Sequence, residues 1–149
     1  MWTKDLDDGG QIDAIYTDFE KAFDKVPHRQ LINKLKSYGI NSWIIKWIEP
    51  FLLARKQTVR INSSLSEWQS VTSGIPQGSV LGPLFVIYIN DMPDLIEKFA
   101  QVSLFADDAK ISRYVVNKDD SIQLQEALEI LYSLSLEWLL KLNISIFQM

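Results

Sequence analysis

The sequence predicts an α+β fold, an antiparallel sheet with helices packed on one face. Three observations predict it. Alternating apolar residues mark strands in "QIDAIYTDF" and "QVSLFADDAKISRYVV". Helical periodicity with recognisable end signals marks the segments between and after them. Short polar turns join strands directly, a connection that antiparallel strands can make and parallel strands cannot. The length of 149 residues fits one domain, and the 47% hydrophobic content is enough to bury a core.

In chain order, Gln11–Phe19 alternates with Ile12, Ala14 and Tyr16 on one side and reads as a strand ending near Asp18. "EKAFDKV" is a short helical turn. Pro27 suits the first turn of a helix through "HRQLINKLKSYG", with Leu31, Ile32 and Leu35 as its apolar stripe and Gly39 as its end. "NSWIIKWIEPFLLAR" is a second helix capped by Asn41 or Ser42, which Pro50 should kink or split. "KQTVRIN" and "EWQSVTS" read as strands joined by the turn "NSSLS". "GIPQGSVLGP" is a shaped loop, and "LFVIYINDMPDLIEKF" reads as one helix. After the strand–turn–strand of residues 101–116 comes the longest amphipathic helix, with Asp119 and Asp120 as its expected cap and Ile122, Leu124, Ala127, Leu128, Leu131 and Leu134 near helical spacing. The tail "NISIFQM" has the look of a last strand.

Charge is uneven along the chain. Residues 1–20 carry −5, residues 21–60 carry +7 and residues 61–149 carry −6, giving −4 in all. The basic middle is either a phosphate-facing surface or a solvated helix face. The absence of cysteine removes disulfide frameworks and thiolate metal sites, and suits an intracellular location. The start "MWTKDLDDGG" is too polar and acidic for a signal peptide, and no apolar run approaches the roughly 20 residues of a membrane span, so no membrane partner is expected.

The chemistry is concentrated in carboxylates. Adjacent aspartates are commonly solvent-facing turn residues, yet Asp107 and Asp108 are flanked by Leu104, Phe105, Ala106, Ala109 and Ile111, which points to a largely buried hairpin. Two carboxylates forced towards a core repel one another and resist desolvation, and a divalent cation makes the arrangement tolerable. Oxygen-only ligands favour Mg²⁺ over zinc. Asp18 ends a second apolar strand, so three carboxylates from two strand ends can hold a pair of Mg²⁺ ions for phosphoryl transfer. The lone histidine, His28, reads as a capping or packing residue. "DLDDGG" reads as a polar turn rather than a calcium loop, and Asp91 as a structural residue.

Four stretches then occur in order: "TDFEKAFDKVPH", "SGIPQGSVLGP", "YINDMPD" and "LFADDAKI". Together they resemble the reverse transcriptase domain of non-LTR (LINE-type) retrotransposons, over essentially the whole chain. The resemblance implies a polymerase palm-like sheet and an RNA-directed DNA polymerase core, in which a primer 3′-hydroxyl attacks the α-phosphate of a dNTP. It implies catalytic and metal-binding roles for Asp18, Asp107 and Asp108, with the Phe19 carbonyl as an extra ligand and Mg²⁺, or alternatively Mn²⁺, as cofactor. Phe23 matches the bulky residue that rejects a ribose 2′-OH, and Gln77 and Gly78 match the nucleotide-facing P-Q-G element. Lys21, Arg55, Lys56 and Arg60, with Lys25, Arg29 and Lys34, become candidate contacts to the RNA template and DNA primer.

The same resemblance makes residues 1–149 a single partial domain, with most of the fingers, the thumb and an endonuclease domain expected elsewhere in the same polyprotein. Some residues depart from the family pattern. Gly82–Phe85 reads "GPLF" where "GPLLF" is usual, a deletion that would turn a helix by about 100°. Glu20 stands where a small residue is common, and Ile146 where a lysine usually serves the pyrophosphate leaving group. "SLSLEWLLKLN" is shorter than its counterpart, and Pro50 interrupts a helix. These departures define the alternative reading, a catalytically inactive truncated remnant with at most weak nucleic-acid binding.

Overall fold

A computed structural model describes residues 11–143. The "DLDDGG" stretch, the expected tail strand beyond Asn143, and Ile146 lie outside the described residues. The chain divides into two compact units: the described residues up to Ala22 together with those from Ile89 onward, and Phe23–Tyr88. Among the described residues, no helix is long and apolar enough to cross a membrane.

The first unit is built on a three-stranded antiparallel sheet. Its strands are β1 (Gln11–Thr17), β6 (Gln101–Phe105) and β7 (Asp108–Val115), in the order β1-β7-β6. The registers Ile15↔Ile111 and Thr17↔Ala109 put these four residues on one face, where all are buried. Helices α5 (Met92–Ile96) and α6 (Lys118–Glu137) pack on this sheet, α5 against β6 and α6 against β7, and also on each other. The alternate residues face outward, and Tyr16 and Phe105 are 50% and 82% exposed. The side of β1 that packs inward is therefore that of Ile15 and Thr17, not that of Tyr16. Helices thus cover one face of an antiparallel sheet, as the sequence predicts.

Helix α6 starts from a capping box. The Asn117 side chain accepts from the backbone N–H groups of Asp119 and Asp120, while the Asp120 carboxylate accepts from Asn117 N–H. The cap is thus Asn117, with Asp120 as its reciprocal partner. Asp120 also takes Val116 N–H and pairs with Arg113 at 2.9 Å; the Val116 bond foremost, then Arg113, hold its carboxyl below the usual carboxylate range. Leu124, Ala127, Leu131 and Leu134 form the buried stripe, and Ile122 is exposed.

The predicted single helix over "LFVIYINDMPDLIEKF" is two. Helix α4 (Pro83–Ile89) stops before Asn90, and α5 restarts at Met92 with Asp91 at its N-cap. Pro93 explains the break, since inside a continuous helix its ring would clash with the Ile89 carbonyl and it has no N–H to give; in the first turn of a new helix neither costs anything.

The second unit opens with α1 (Ala22–Lys25), whose first residue belongs to the first unit, and continues with α2 (His28–Ser37) and α3 (Ser42–Leu53), which pack on each other. Leu31, Ile32 and Leu35 of α2 and Ile45, Ile48 and Leu52 of α3 are buried. Pro27 takes the N-cap position of α2, and Asn41 caps α3 by accepting from Trp43 N–H. Pro50 does not split α3, which runs on to Leu53. The predicted hairpin follows as two short ladders, β2 (Lys56–Gln57) with β5 (Gln69–Ser70) and β3 (Arg60–Ile61) with β4 (Ser64–Leu65). Three residues, 66–68, oppose Thr58 and Val59, so the hairpin is bulged, and the Ser66 hydroxyl fills the gap by accepting from Val59 N–H. The turn is confined to Asn62 and Ser63.

Residues 71–82 have no regular structure, and they fasten to α1 and α2. Ile75 N–H bonds the Phe23 carbonyl at 2.7 Å, Gly74 N–H the Val26 carbonyl at 2.9 Å, and buried His28 donates from Nε2 to the Gly74 carbonyl at 2.9 Å. His28 is thus a packing residue, as expected. Gly74 has φ +91°, and a Cβ there would lie 2.7 Å from the Asp24 carbonyl oxygen and 2.9 Å from that of Phe23. Both the backbone angle and the space therefore demand glycine. Gly74→Ala should destabilise the fold by at least about 2 kcal/mol, measured as a lower urea midpoint.

Candidate active site at the carboxylate turn

The sheet register assembles the site. β6 and β7 are joined by the two-residue turn Ala106-Asp107, closed by the pair Phe105↔Asp108. Ala106 adopts φ +54°, an angle uncommon for a residue with a Cβ. Asp107 therefore sits in the turn and Asp108 opens β7. The expectation of a largely buried hairpin is corrected here. Ala109 and Ile111 are buried, but Phe105 and Ala106 are exposed, because strand alternation turns Phe105 to the open face and a two-residue turn must protrude. Asp107 is half-buried and Asp108 is exposed.

Asp18 directly follows β1, and the pair Thr17↔Ala109 carries it to the same end of the sheet. A groove of about 420 Å³ lies there, lined by residues that include Asp18, Asp108, Tyr16, Lys110 and Phe105. The Lys110 ammonium stands 5.3 Å from the Tyr16 ring centroid, across the β1–β7 pair. A larger apolar cavity of about 1020 Å³ runs along α6, lined in part by Leu128, Tyr132, Leu136 and Leu139. None of the three aspartates lines it, so chemistry rather than size singles out the smaller groove.

Asp18 senses both of the other carboxylates. Burial raises the Asp18 carboxyl above its ordinary pKa, and the charges of Asp107 and Asp108 push in the same direction; a hydrogen bond from the Asn143 side chain opposes them. Such mutual repulsion is the environment that a divalent cation relieves, and an all-oxygen donor set suits a hard ion. Among the described residues, however, no three acidic or histidine side chains form a ready-made cage. Asp18 and Asp108 line an open groove, with Asp107 in the adjoining turn, rather than closing on a point.

Phe19 is buried, with its ring 6.4 Å from that of Trp138. An isolated antiparallel bridge pairs Phe19 with Leu142, with Glu20 N–H bonded to the Lys141 carbonyl and Asn143 N–H to the Asp18 carbonyl. The Glu20 carboxylate is turned to Lys141 at 3.3 Å. Sequence reading missed this bridge, because a single pair of residues leaves no alternation to detect. The Tyr16–Lys110 pair was equally unmarked, although the two-residue strand period puts Tyr16 on the face of Asp18.

The remaining candidates lie in the second unit, except Lys21, which is exposed at φ +52°. Phe23 is half-buried and stacks on Phe85, with centroids 4.6 Å apart. Gln77 and Gly78 are exposed in a loop that Ser79 closes, its hydroxyl donating to the Pro76 carbonyl and accepting from Leu81 N–H. Gly78 has φ +68° with open space around it, so the angle and not a close approach within the chain requires glycine. Arg55 reaches the Gly74 carbonyl at 3.3 Å, whereas Lys56 and Arg60 are exposed on the hairpin.

Comparison with known proteins accords with this geometry. Residues 8–145 match the family model for reverse transcriptase (RNA-dependent DNA polymerase). The chain is 34% identical over 143 residues to the RNA-directed DNA polymerase from mobile element jockey of Drosophila funebris, covering 89% of this chain and 15% of that protein. It is 32% identical to the probable RNA-directed DNA polymerase from transposon BS of Drosophila melanogaster, covering 93% of this chain and 16% of that protein. The chain thus spans about one-sixth of the length of these relatives. A solved apo telomerase from Candida tropicalis, truncated from its C-terminal domain, has a similar fold, with a TM-score of 0.69 at 12% identity over 99% of this chain and 32% of that one. With its sheet, its acidic turn and these relatives in agreement, the chain belongs to the reverse transcriptase family.

Proposed function

We propose that this chain is the palm-centred catalytic core of an RNA-directed DNA polymerase acting within a longer retrotransposon protein, and that it adds dNTPs to a DNA primer on an RNA template. One observation carries the reading: the β1–β7 pairing, which brings Asp18 to the Asp107–Asp108 turn from a distant part of the sequence. Asp18, Asp107 and Asp108 would hold Mg²⁺, with the Phe19 carbonyl as a further ligand. Such an ion, when bound, activates the attacking oxygen and steadies the leaving one in phosphoryl transfer.

The chain's own residues would do the rest. Tyr16 and Lys110 line the groove beside Asp18 and Asp108 and offer an aromatic face and a cation to an incoming nucleic-acid strand. Phe23 would exclude a ribose 2′-OH, held against rotation by its stacking on Phe85. Gln77 and Gly78 would meet the nucleotide from the P-Q-G loop. Lys21, Lys56 and Arg60 are exposed and suit phosphate contacts, while Arg55 divides its guanidinium between that role and the Gly74 carbonyl. The fingers, thumb and endonuclease parts would come from the remainder of the same protein.

Primer extension on an RNA template with Mg²⁺ tests the reading, using the longest natural polypeptide that contains this chain. Asp18→Ala and Asp107→Ala should each slow extension about a thousand-fold or more, equivalent to roughly 4 kcal/mol of barrier. No extension by the unaltered protein would instead support the inactive remnant. Lys56→Ala and Arg60→Ala should each weaken binding irrespective of template sequence and reduce the salt slope by about one, read from titrations over a range of salt concentrations.

The raised pKa of Asp18 also sets a stability test. Its contribution to folding is fully present below the carboxyl's unfolded pKa and is lost as pH rises through the higher folded value. In metal-free buffer near neutrality, Asp18→Asn should therefore melt above the unaltered chain. The difference should vanish in acid, as thermal melts across pH would record.

A further inference from the structure

The segment 141–143 is joined to the catalytic strand end at three consecutive residues. Asn143 N–H bonds the Asp18 carbonyl at 2.9 Å, Leu142 bridges Phe19, and the Lys141 carbonyl accepts Glu20 N–H at 2.8 Å. Beneath it, Leu142 and Leu140 are buried, as are Phe19 and Trp138, whose rings are in contact. Asn143 is thus fixed by its own backbone at the residue it serves, and its side chain also donates to the Asp18 carboxylate. An asparagine held in this way grips one residue twice, at the main chain and at the carboxylate.

We propose that Asn143 is a positioning residue for Asp18, the amide that holds the carboxylate in the orientation from which it faces the groove. This rests on the proposed role of Asp18 as a metal ligand and adds to it the partner that orients the ligand. The chemistry is specific. A carboxylate at the end of a strand has a free χ1 and χ2, and repulsion from Asp107 and Asp108 would swing it away from them. A side-chain N–H donor opposes that swing without introducing a positive charge that would compete with a cation. Lysine or arginine at the same place would hold Asp18 more strongly but would repel the ion. The neighbouring backbone bridge fixes the Asn143 main chain and so lowers the entropic cost of holding the amide in place.

Two measurements on the whole chain test this. In the metal-free, ¹⁵N-labelled chain, the Asn143 side-chain amide should exchange its protons more slowly than exposed asparagine amides, and Asp18→Ala should abolish the protection. Equal exchange rates in the two chains would overturn the proposal, whatever the outcome with metal. Mn²⁺ binding followed by electron paramagnetic resonance should weaken roughly 10-fold or more in Asn143→Ala, as it does when an outer-shell partner of a metal ligand is removed, while the melting temperature changes little. An Asn143→Ala chain that melts early yet binds Mn²⁺ as the unaltered chain does would show a structural role only and overturn the proposal. If the unaltered chain binds no Mn²⁺, the metal reading of Asp18 fails, and the proton-exchange result decides the positioning role by itself.

Discussion

The antiparallel register of β1 on β7 is the constraint on which the site depends. Asp18 and the Asp107–Asp108 pair are remote in sequence, and the β1–β7 register, with Thr17↔Ala109 and Ile15↔Ile111 among its pairs, brings them to one end of one sheet. The same pairs are what the helices cover, with Ile111 and Ala109 almost fully buried. Burying an isoleucine is worth roughly 1.5–3 kcal/mol, so the register that gathers the carboxylates is also the one that hydrophobic burial selects. A slip of one residue would turn Asp108 towards α6 and Ala109 towards solvent, at a cost on both counts. The repulsive cluster is held in place by an attractive face on the other side of the same backbone.

Much of this was legible in the sequence because strands and caps leave periodic traces. The alternation before Asp18, the strand–turn–strand around Asp107, and the stripe Leu31, Ile32, Leu35 all appear in the structure where the pattern puts them. The misreadings have separate physical causes. "LFVIYINDMPDLIEKF" has apolar residues on both sides of Asn90-Asp91 and reads as continuous; Asp91 and Pro93 carried the information, as the N-cap and first-turn residues of a second helix rather than as a disruption of one. Asp119 and Asp120 are good caps by residue type, yet Asn117 takes the position because its extended backbone lets one carboxamide oxygen meet two N–H groups. The bulge at residues 66–68 depends on a hydroxyl bond, which composition does not encode.

The apparent conflict of two charges in an apolar strand also resolves into geometry. Flanking hydrophobic residues suggest burial of the whole stretch, but a strand buries only alternate residues. Ala109 and Ile111 face the helices, while Phe105 and Asp108 face outward. Asp107 and Asp108 therefore avoid full desolvation at the protruding turn, whereas burial at the end of β1 pushes the Asp18 carboxyl up. That asymmetry matters more than the proximity of Asp107 to Asp108. A sheltered carboxylate needs a counter-charge or a donor, and Asp18 has the Asn143 side chain as a donor.

The donor available to Asp18 comes from the far end of the described chain, and this ties the quality of the site to a segment that does not belong to the sheet. Strand pairing sets where the Asp18 backbone lies to within the tolerance of hydrogen-bond geometry, but it leaves the carboxylate free to rotate. A two-ion reaction at phosphorus requires the oxygens themselves to be placed, because a displacement of about 1 Å can cost 100-fold in rate. In the proposed role of Asn143, the bridge of residues 141–143 would supply that second level of placement; Leu140 and Leu142 anchor it in the unit that bears the sheet. Family membership is therefore written in the acidic turn, which sheet packing preserves. The contacts proposed to orient Asp18 are less conspicuous, because they come from a segment outside the sheet.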